Sequence, residues 1–302
     1  MEEYDVIIIG GGPAGLSAAL YSSREGQKTL VLDKGVPGGQ IYLSSAVENY
    51  PGVKSTDGQG LVATMVEQAN SFGAQINQFE EVKEANLAEG TLKTEKGGYR
   101  AKSIIIATGN RWRKLGVPGE EELLGKGVSY CATCDGPFFK GQKVAVVGGG
   151  DSAVEEAIHL TRFAEKVYLI HRRDELRASR ALQEAASKNP KIEFIWDTEV
   201  SKINGENSVS SLTLKNRKSG EESELDAAGA FIFIGLVPNS EIFKGQLEMD
   251  GRGYLITDEW MRTGVAGVYA AGDVRHSPVK QLTTAAADGT VSALAASRDL
   301  QA

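Results

Sequence analysis

The stretch DVIIIGGGPAG at residues 5–15 recurs as KVAVVGGGDSA at residues 143–153. Each reads as a β-branched strand, a glycine turn and the start of an amphipathic helix. The spacing predicts a first helix from Pro13 to near Glu25 and a second from Ser152 to near Phe163. The segments TLVLDK (29–34) and KVYLIHR (166–172) follow as second strands. The series then continues in order. AQINQFEEV (74–82) matches IEFIWDTEV (192–200) in pattern, and TLKTEKGGYRAK (91–102) and SLTLKNRKSGEESEL (211–225) both read as hairpins. SIIIATG (103–109) and AFIFIGLVPN (230–239) are buried strands with a glycine at or near the end. One strand–glycine match arises easily by chance, whereas an ordered series does not. The chain is therefore predicted to be of α/β class, with two related Rossmann-like dinucleotide-binding domains, each with a central parallel sheet and a β-meander.

A length of 302 residues suits two domains of roughly 150 residues each. VYAAGDV (268–274) is a further strand with no equivalent in either repeat, and ADGTVSALAASRDL (287–300) reads as a closing helix. Placed beside the first domain, this tail makes the first domain discontinuous and the second an insertion. The predicted parts are 1–113, 114–244 and 245–302, crossing where Arg113, Lys114 and Gly116, and later Pro238, Asn239 and Gly245, break the pattern.

Gly10, Gly12 and Gly15 give the G-x-G-x-x-G order of a dinucleotide turn, with Pro13 and Ala14 opening the helix. Such glycines allow a tight turn, close approach of a pyrophosphate and tight helix–strand packing, and the helix start offers N–H groups to an anion. Asp33 ends the second strand about 20 residues on, where a carboxylate accepts from a ribose 2′-hydroxyl. In the second turn, Gly148 and Gly150 are followed by Asp151 and Ser152, with Ala153 in the last place. The same offset from Gly148 reaches His171, then Arg172, Arg173 and, further on, Arg177. A carboxylate there would repel a 2′-phosphate, whereas guanidinium groups bind one. The second site is thus predicted to take NADP(H), against the plainer reading of a solvated segment whose own acids neutralise it. The first turn alone does not separate FAD from NAD.

The chain has only two cysteines, Cys131 and Cys134, and three scattered histidines. A disulfide scaffold is excluded, and a four-ligand zinc site within the chain is improbable. Half a metal site, two inert thiols and a redox disulfide remain. Thr133, Asp135 and Gly136 around the pair favour a reversible dithiol. Asp135 is a candidate proton carrier, or simply a turn residue before Gly136 and Pro137. A formal charge of −7 gives no signal for nucleic acid. No apolar run is long enough for a membrane span. The acidic start leading into a strand predicts no leader peptide and a cytoplasmic location.

These motifs resemble the low-molecular-weight, bacterial-type thioredoxin reductases over essentially the whole chain. The matching segments are GGGPAG (10–15), PGGQ (37–40), VENYPG (47–52), ATG (107–109), CATCDG (131–136), GGGDSAVEEA (148–157), HRRDELRA (171–178) and AAGDV (270–274). The resemblance implies a homodimeric flavoprotein that passes electrons from NADPH through FAD and a Cys131–Cys134 disulfide to thioredoxin, with no metal. It implies FAD contacts from Gly10, Gly12, Gly15 and Asp33, then Gly39, Gln40, Asn49, Thr108 and Gly109, and from Gly272, Asp273 and Gln281 in the tail. It implies NADPH contacts from Gly148, Gly150, Ser152, Arg172, Arg173 and Arg177. Cys134 would face the flavin, Cys131 would attack the partner and Asp135 would be the acid–base residue. The inserted domain would swing about the two crossings. Phe138 and Phe139 would either pack on thioredoxin or belong to the core. Lys280 stands where an arginine is more usual. Relatives that use ferredoxin lack the basic cluster. The remaining alternatives are a reductase of the same fold with another donor such as ferredoxin or another disulfide acceptor, a dithiol oxidase, and a redox- or nucleotide-sensing binding protein.

Overall fold

A computed structural model describes residues 1–44 and 47–301. The chain divides into two compact units, Met1–Arg111 with Val237–Ala302, and Trp112–Leu236.

The first unit begins with β1 (Glu2–Ile9), whose VIII run is buried throughout because parallel-sheet strands are covered on both faces. Helix α1 (Pro13–Arg24), β2 (Thr29–Leu32), α2 (Gly58–Ser71) and β3 (Gln75–Asn77) follow. Next come β4 (Glu84–Asn86), β5 (Thr91–Lys93) and the long β6 (Gly98–Ile106). β6 runs antiparallel to β5 and parallel to β1, so meander and central sheet are one continuous structure here. The chain leaves through β7 (Asn110–Trp112).

The second unit opens with β8 (Val128–Ser129) and a short helix α3 (Ala132–Asp135). It continues through β9 (Lys143–Gly148), α4 (Asp151–Leu160), β10 (Lys166–Ile170), α5 (Arg180–Ser187) and β11 (Ile192–Ile195). Strands β12 (Thr198–Gly205), β13 (Val209–Asn216) and β14 (Glu222–Asp226) form a separate antiparallel sheet. β15 (Gly229–Phe233) returns to the parallel sheet, whose order is β11-β10-β9-β15-β8. Side chains alternate along β9. Val144 and Val146 pack towards α4, while Ala145 and Val147 face the antiparallel sheet.

The chain returns through β16 (Leu236–Pro238), which pairs with β7. β17 (Val268–Ala270) then lies parallel to β6, and α6 (Leu282–Gln301) packs on α1. The second crossing therefore falls at 236/237, earlier than the pattern break near 244 suggests. Residues 239–243 belong to the first unit for a physical reason. Asn239 bonds to Thr108 and Gly109, and Phe243 is fully buried in the first unit's core. The first crossing falls at 111/112, just ahead of the expected 113/114.

β17 also has a spatial counterpart that sequence order conceals. It flanks β6 as β8 flanks β15. The turn at Gly272–Val274 follows β17, and the cysteine helix follows β8.

Candidate active site

The two glycine turns use their glycines for different ends. In the first, a Cβ at Gly10 would stand 2.4 Å from the Ala107 carbonyl oxygen, and one at Gly15 would stand 1.9 Å from the Gly10 oxygen. Both positions must be glycine for the protein's own packing. Gly12 is different. Its φ of −72° suits any residue, and a Cβ there would meet nothing within 4 Å. Helix α1 has no side-chain cap at this end. A bare, uncapped helix start with room in front of it suits a phosphate that must approach the backbone closely. Gly150 repeats the arrangement at α4, with φ −95°, no side-chain cap and no atom within 4 Å of a Cβ. The residues present thus fit two dinucleotide pyrophosphates.

Asp33 braces the first turn by accepting from Gly11 N at 2.6 Å and from Gly35 N at 2.8 Å. Its counterpart His171 is 5 % exposed, and its ring lies against Gly149, whose Cβ would come within 2.3 Å of it. Burial, then the charges of Arg177, Arg172 and Arg173, hold this imidazole below its ordinary pKa despite a bond to the Gly148 backbone. His171 therefore supports the turn from beneath, apart from the exposed Arg172, Arg173 and Arg177. Arg177 N donates to the Gly149 carbonyl at 2.7 Å, which ties the basic loop to the turn. Asp151 accepts from Ser179 N at 2.7 Å and braces the same loop, while Ser152 is exposed at the helix start. Among the described residues, none of the three guanidinium groups pairs with a carboxylate.

Elsewhere in the first unit, Pro13 opens α1 and Ala14 is buried below it, where α1 meets Gly272 and Gly289. Gly39 begins a short 3-10 turn, and Gln40 Nε2 donates to Asn110 O at 2.7 Å and Oδ1 at 2.6 Å. Asn110 Nδ2 in turn reaches Asp273 Oδ2 at 3.4 Å. Burial pushes Asp273 up, against the Lys280 charge. Lys280 donates to the carbonyls of Asp273 and Arg275 at 3.1 and 3.0 Å, and its ammonium lies 4.2 Å from the Tyr254 ring centre. The Thr108 hydroxyl donates to Asn239 O at 2.6 Å, and Gly109 has φ +65°. Asn49 is exposed in the segment closed by Val47 and Thr56, and Gln281 is exposed just before α6. Sequence reasoning missed Asn110, directly after ATG, and Asp288, which accepts from Gly272 N and pairs with Arg275 at 3.1 Å.

Cys131 and Cys134 form a disulfide at the start of α3. Cys134 N donates to Cys131 Sγ at 3.2 Å. Ser129, buried in β8 and also missed, accepts from Cys131 N at 3.0 Å and donates to Asp135 Oδ2 at 2.6 Å. The carboxylate beside the pair is thereby fixed to β8, the strand that leads into the cysteine helix. Tyr130 stacks on Trp112 with ring centres 4.9 Å apart, and its hydroxyl donates to buried Glu120. The two phenylalanines separate. Phe138 is 62 % exposed, and Phe139 is 9 % exposed and edge-on to Phe231. Among the described residues, no cluster of three or more His, Cys, Asp or Glu side chains could hold a metal, and no helix is long and apolar enough to cross a membrane.

The profile of the pyridine nucleotide-disulphide oxidoreductases matches residues 4–289. A thioredoxin reductase of Peptoclostridium acidaminophilum is 48% identical over 99% of this chain and 98% of its own length. A thioredoxin reductase of Bacillus subtilis is 48% identical over 96% of this chain and 92% of its own. The crystal structure of a thioredoxin reductase from Streptococcus pyogenes superposes with a TM-score of 0.88 at 43% identity, covering 99% of this chain and 98% of that one.

Proposed function

The chain belongs to the pyridine nucleotide-disulphide oxidoreductase family, and from that premise we propose that it is a thioredoxin reductase using FAD and NADPH. The observation that carries the reading is one partly exposed disulfide, held beside an anchored carboxylate, in a chain with two glycine turns that are each open where a pyrophosphate must approach. FAD, when bound, relays two electrons from a pyridine nucleotide to a disulfide.

Gly10, Gly12, Gly15 and Asp33 would hold the adenylate half of FAD. Gly39, Gln40, Asn49, Thr108, Gly109, Gly272, Asp273 and Gln281 would hold the rest. Gly148, Gly150, Ser152, Arg172, Arg173 and Arg177 would hold NADPH, and Asp151 and His171 would support that site from within.

Two electrons and two protons convert the Cys131–Cys134 disulfide to a dithiol. The Cys131 thiolate then attacks the thioredoxin disulfide, forming one mixed disulfide and releasing one partner thiolate. Cys134 attacks Cys131 Sγ, which reforms the internal disulfide and frees the second partner thiol. Asp135 carries a proton for the pair, and Ser129 keeps it in reach. Phe138 offers the partner an apolar contact beside the cysteines. A cytoplasmic homodimer completes the proposal, with sedimentation velocity as the check on the dimer.

The unpaired arginines favour NADPH over ferredoxin as donor, and they count against a dithiol oxidase, which has no need of them. The test is steady-state NADPH oxidation with a panel of thioredoxins, comparing wild type with Cys131→Ser and Cys134→Ser. Both variants should lose partner reduction. Undiminished reduction in either removes the dithiol mechanism.

A further inference from the structure

The loop that carries Arg172, Arg173 and Arg177 also carries Asp174, and Asp197 lies beside it. Asp197 N donates to the Arg173 carbonyl at 3.2 Å. Glu175 also stands on the loop, exposed and without an ion pair among the described residues, whereas Asp174 and Asp197 are placed to compete with a 2′-phosphate for the guanidinium charge. The structure gives these two another partner. Lys218 Nζ, from the β13–β14 hairpin, lies 3.1 Å from Asp174 Oδ2 and 2.8 Å from Asp197 Oδ2.

The hairpin is fastened in that position. Arg217 N donates to the Asp197 carbonyl at 2.7 Å, and Arg217 Nη1 reaches the Arg172 carbonyl at 3.5 Å. The Arg217 guanidinium is turned to Glu199 at 3.3 Å. Asn216 Oδ1 accepts from Lys218 N at 2.9 Å and from Ser219 N at 3.0 Å, which fixes the turn that presents the lysine. The Asp197 side chain is only 19 % exposed, so water solvates its charge poorly and a cation beside it compensates. Lys218 supplies it.

We infer that Lys218 determines specificity for a 2′-phosphorylated nucleotide, by occupying Asp174 and Asp197 and so leaving the three arginines free. It acts as a positioning residue, through the carboxylates. The inference rests on the reading of NADPH as donor and deepens it, since the three arginines alone do not account for their being free. The Asp174 arm is an exposed ion pair and contributes little to stability, and thermal melting of each variant reads any cost of leaving Asp197 without its cation.

The test is calorimetric titration of the oxidised, FAD-loaded full-length protein with NADP⁺ and with NAD⁺. Lys218→Met is expected to weaken NADP⁺ binding about three- to tenfold, the range for one unit charge acting through high-dielectric surroundings. NAD⁺ binding should stay within about twofold, and raised salt should shrink the difference. Lys218→Arg should retain the wild-type preference. Adding Asp174→Asn to Lys218→Met should recover part of the NADP⁺ affinity, because one of the two freed carboxylates is then gone. Unchanged NADP⁺ affinity in Lys218→Met, equal weakening of both nucleotides, or no recovery in the double variant would each overturn the inference. A wild-type protein that binds NADP⁺ and NAD⁺ equally would overturn the donor reading itself, which is a separate outcome.

Discussion

The Tyr130 hydroxyl donates to Glu120 Oε1 at 2.6 Å, one residue before the redox disulfide. Glu120 is 2 % exposed and also accepts from Leu115 N at 2.9 Å and Gly116 N at 2.7 Å. The segment entering the second unit is thereby bonded to the residue that precedes Cys131. Tyr130→Phe keeps the stack on Trp112 and removes only the phenol. It should cost about 1–3 kcal/mol in urea denaturation followed by tryptophan fluorescence. Glu120→Ala leaves two backbone donors and a phenol unpaired and should cost more. Equal stability of all three proteins would show that the carboxylate does not bind the segment.

The glycines predict a contrast within one motif. Gly15→Ala should prevent stable folding of the first unit, since its Cβ would collide with the Gly10 oxygen. Gly12→Ala should fold and melt normally as apoprotein yet retain less flavin, seen as a lower ratio of visible to ultraviolet absorbance. A Gly12→Ala protein with full flavin content removes the argument that its open space serves a ligand.

Phe138 and Phe139 should separate by assay. Phe139→Ala deletes a buried ring packed on Phe231 and should destabilise by about 3–5 kcal/mol. Phe138→Ala should leave stability within about 0.5 kcal/mol and raise KM for thioredoxin with little change in kcat. An unaffected KM would mean that the exposed ring does not touch the partner.

Alkaline stability gives a further check. Burial and then the bond to Glu80 at 2.6 Å push the Tyr99 phenol up to about 12. A phenol whose pKa is raised on folding stabilises the folded state below its unfolded value near 10, and that contribution is lost as pH climbs through 12. Burial likewise raises Tyr130 and Tyr269. Stability should therefore decline between about pH 10 and 12, and Tyr99→Phe should flatten part of that decline in pH-dependent denaturation.

The two glycine turns and the cysteine pair were legible in sequence because short-range spacing encodes them. The second crossing was not. Whether 239–243 belong to one unit or the other is decided by bonds from Asn239 to Thr108 and Gly109, far away in the chain. Counting residues located His171, but only the fold shows its ring beneath Gly149. β8 is too short to display a strand period, so its likeness to β17 could not be read. Ser129, Asn110 and Asp288 escaped because nothing local marks them, although Ser129 precedes the cysteine motif by two positions and Asn110 follows ATG. Lys218 escaped for the same reason, since its partners lie in other elements.

The late arrival of β17 and α6 bears on how the chain is made. The first unit lacks the strand that flanks Ile104–Ile106 of β6 and the helix that covers α1 until residues from 268 onward leave the ribosome. The inserted unit is continuous from Trp112 to Leu236 and can close its five-stranded sheet before then. Domains fold as units during synthesis at about 5–20 residues per second. The cysteine-bearing unit thus has several seconds in which to fold while the first unit still waits for its last strand.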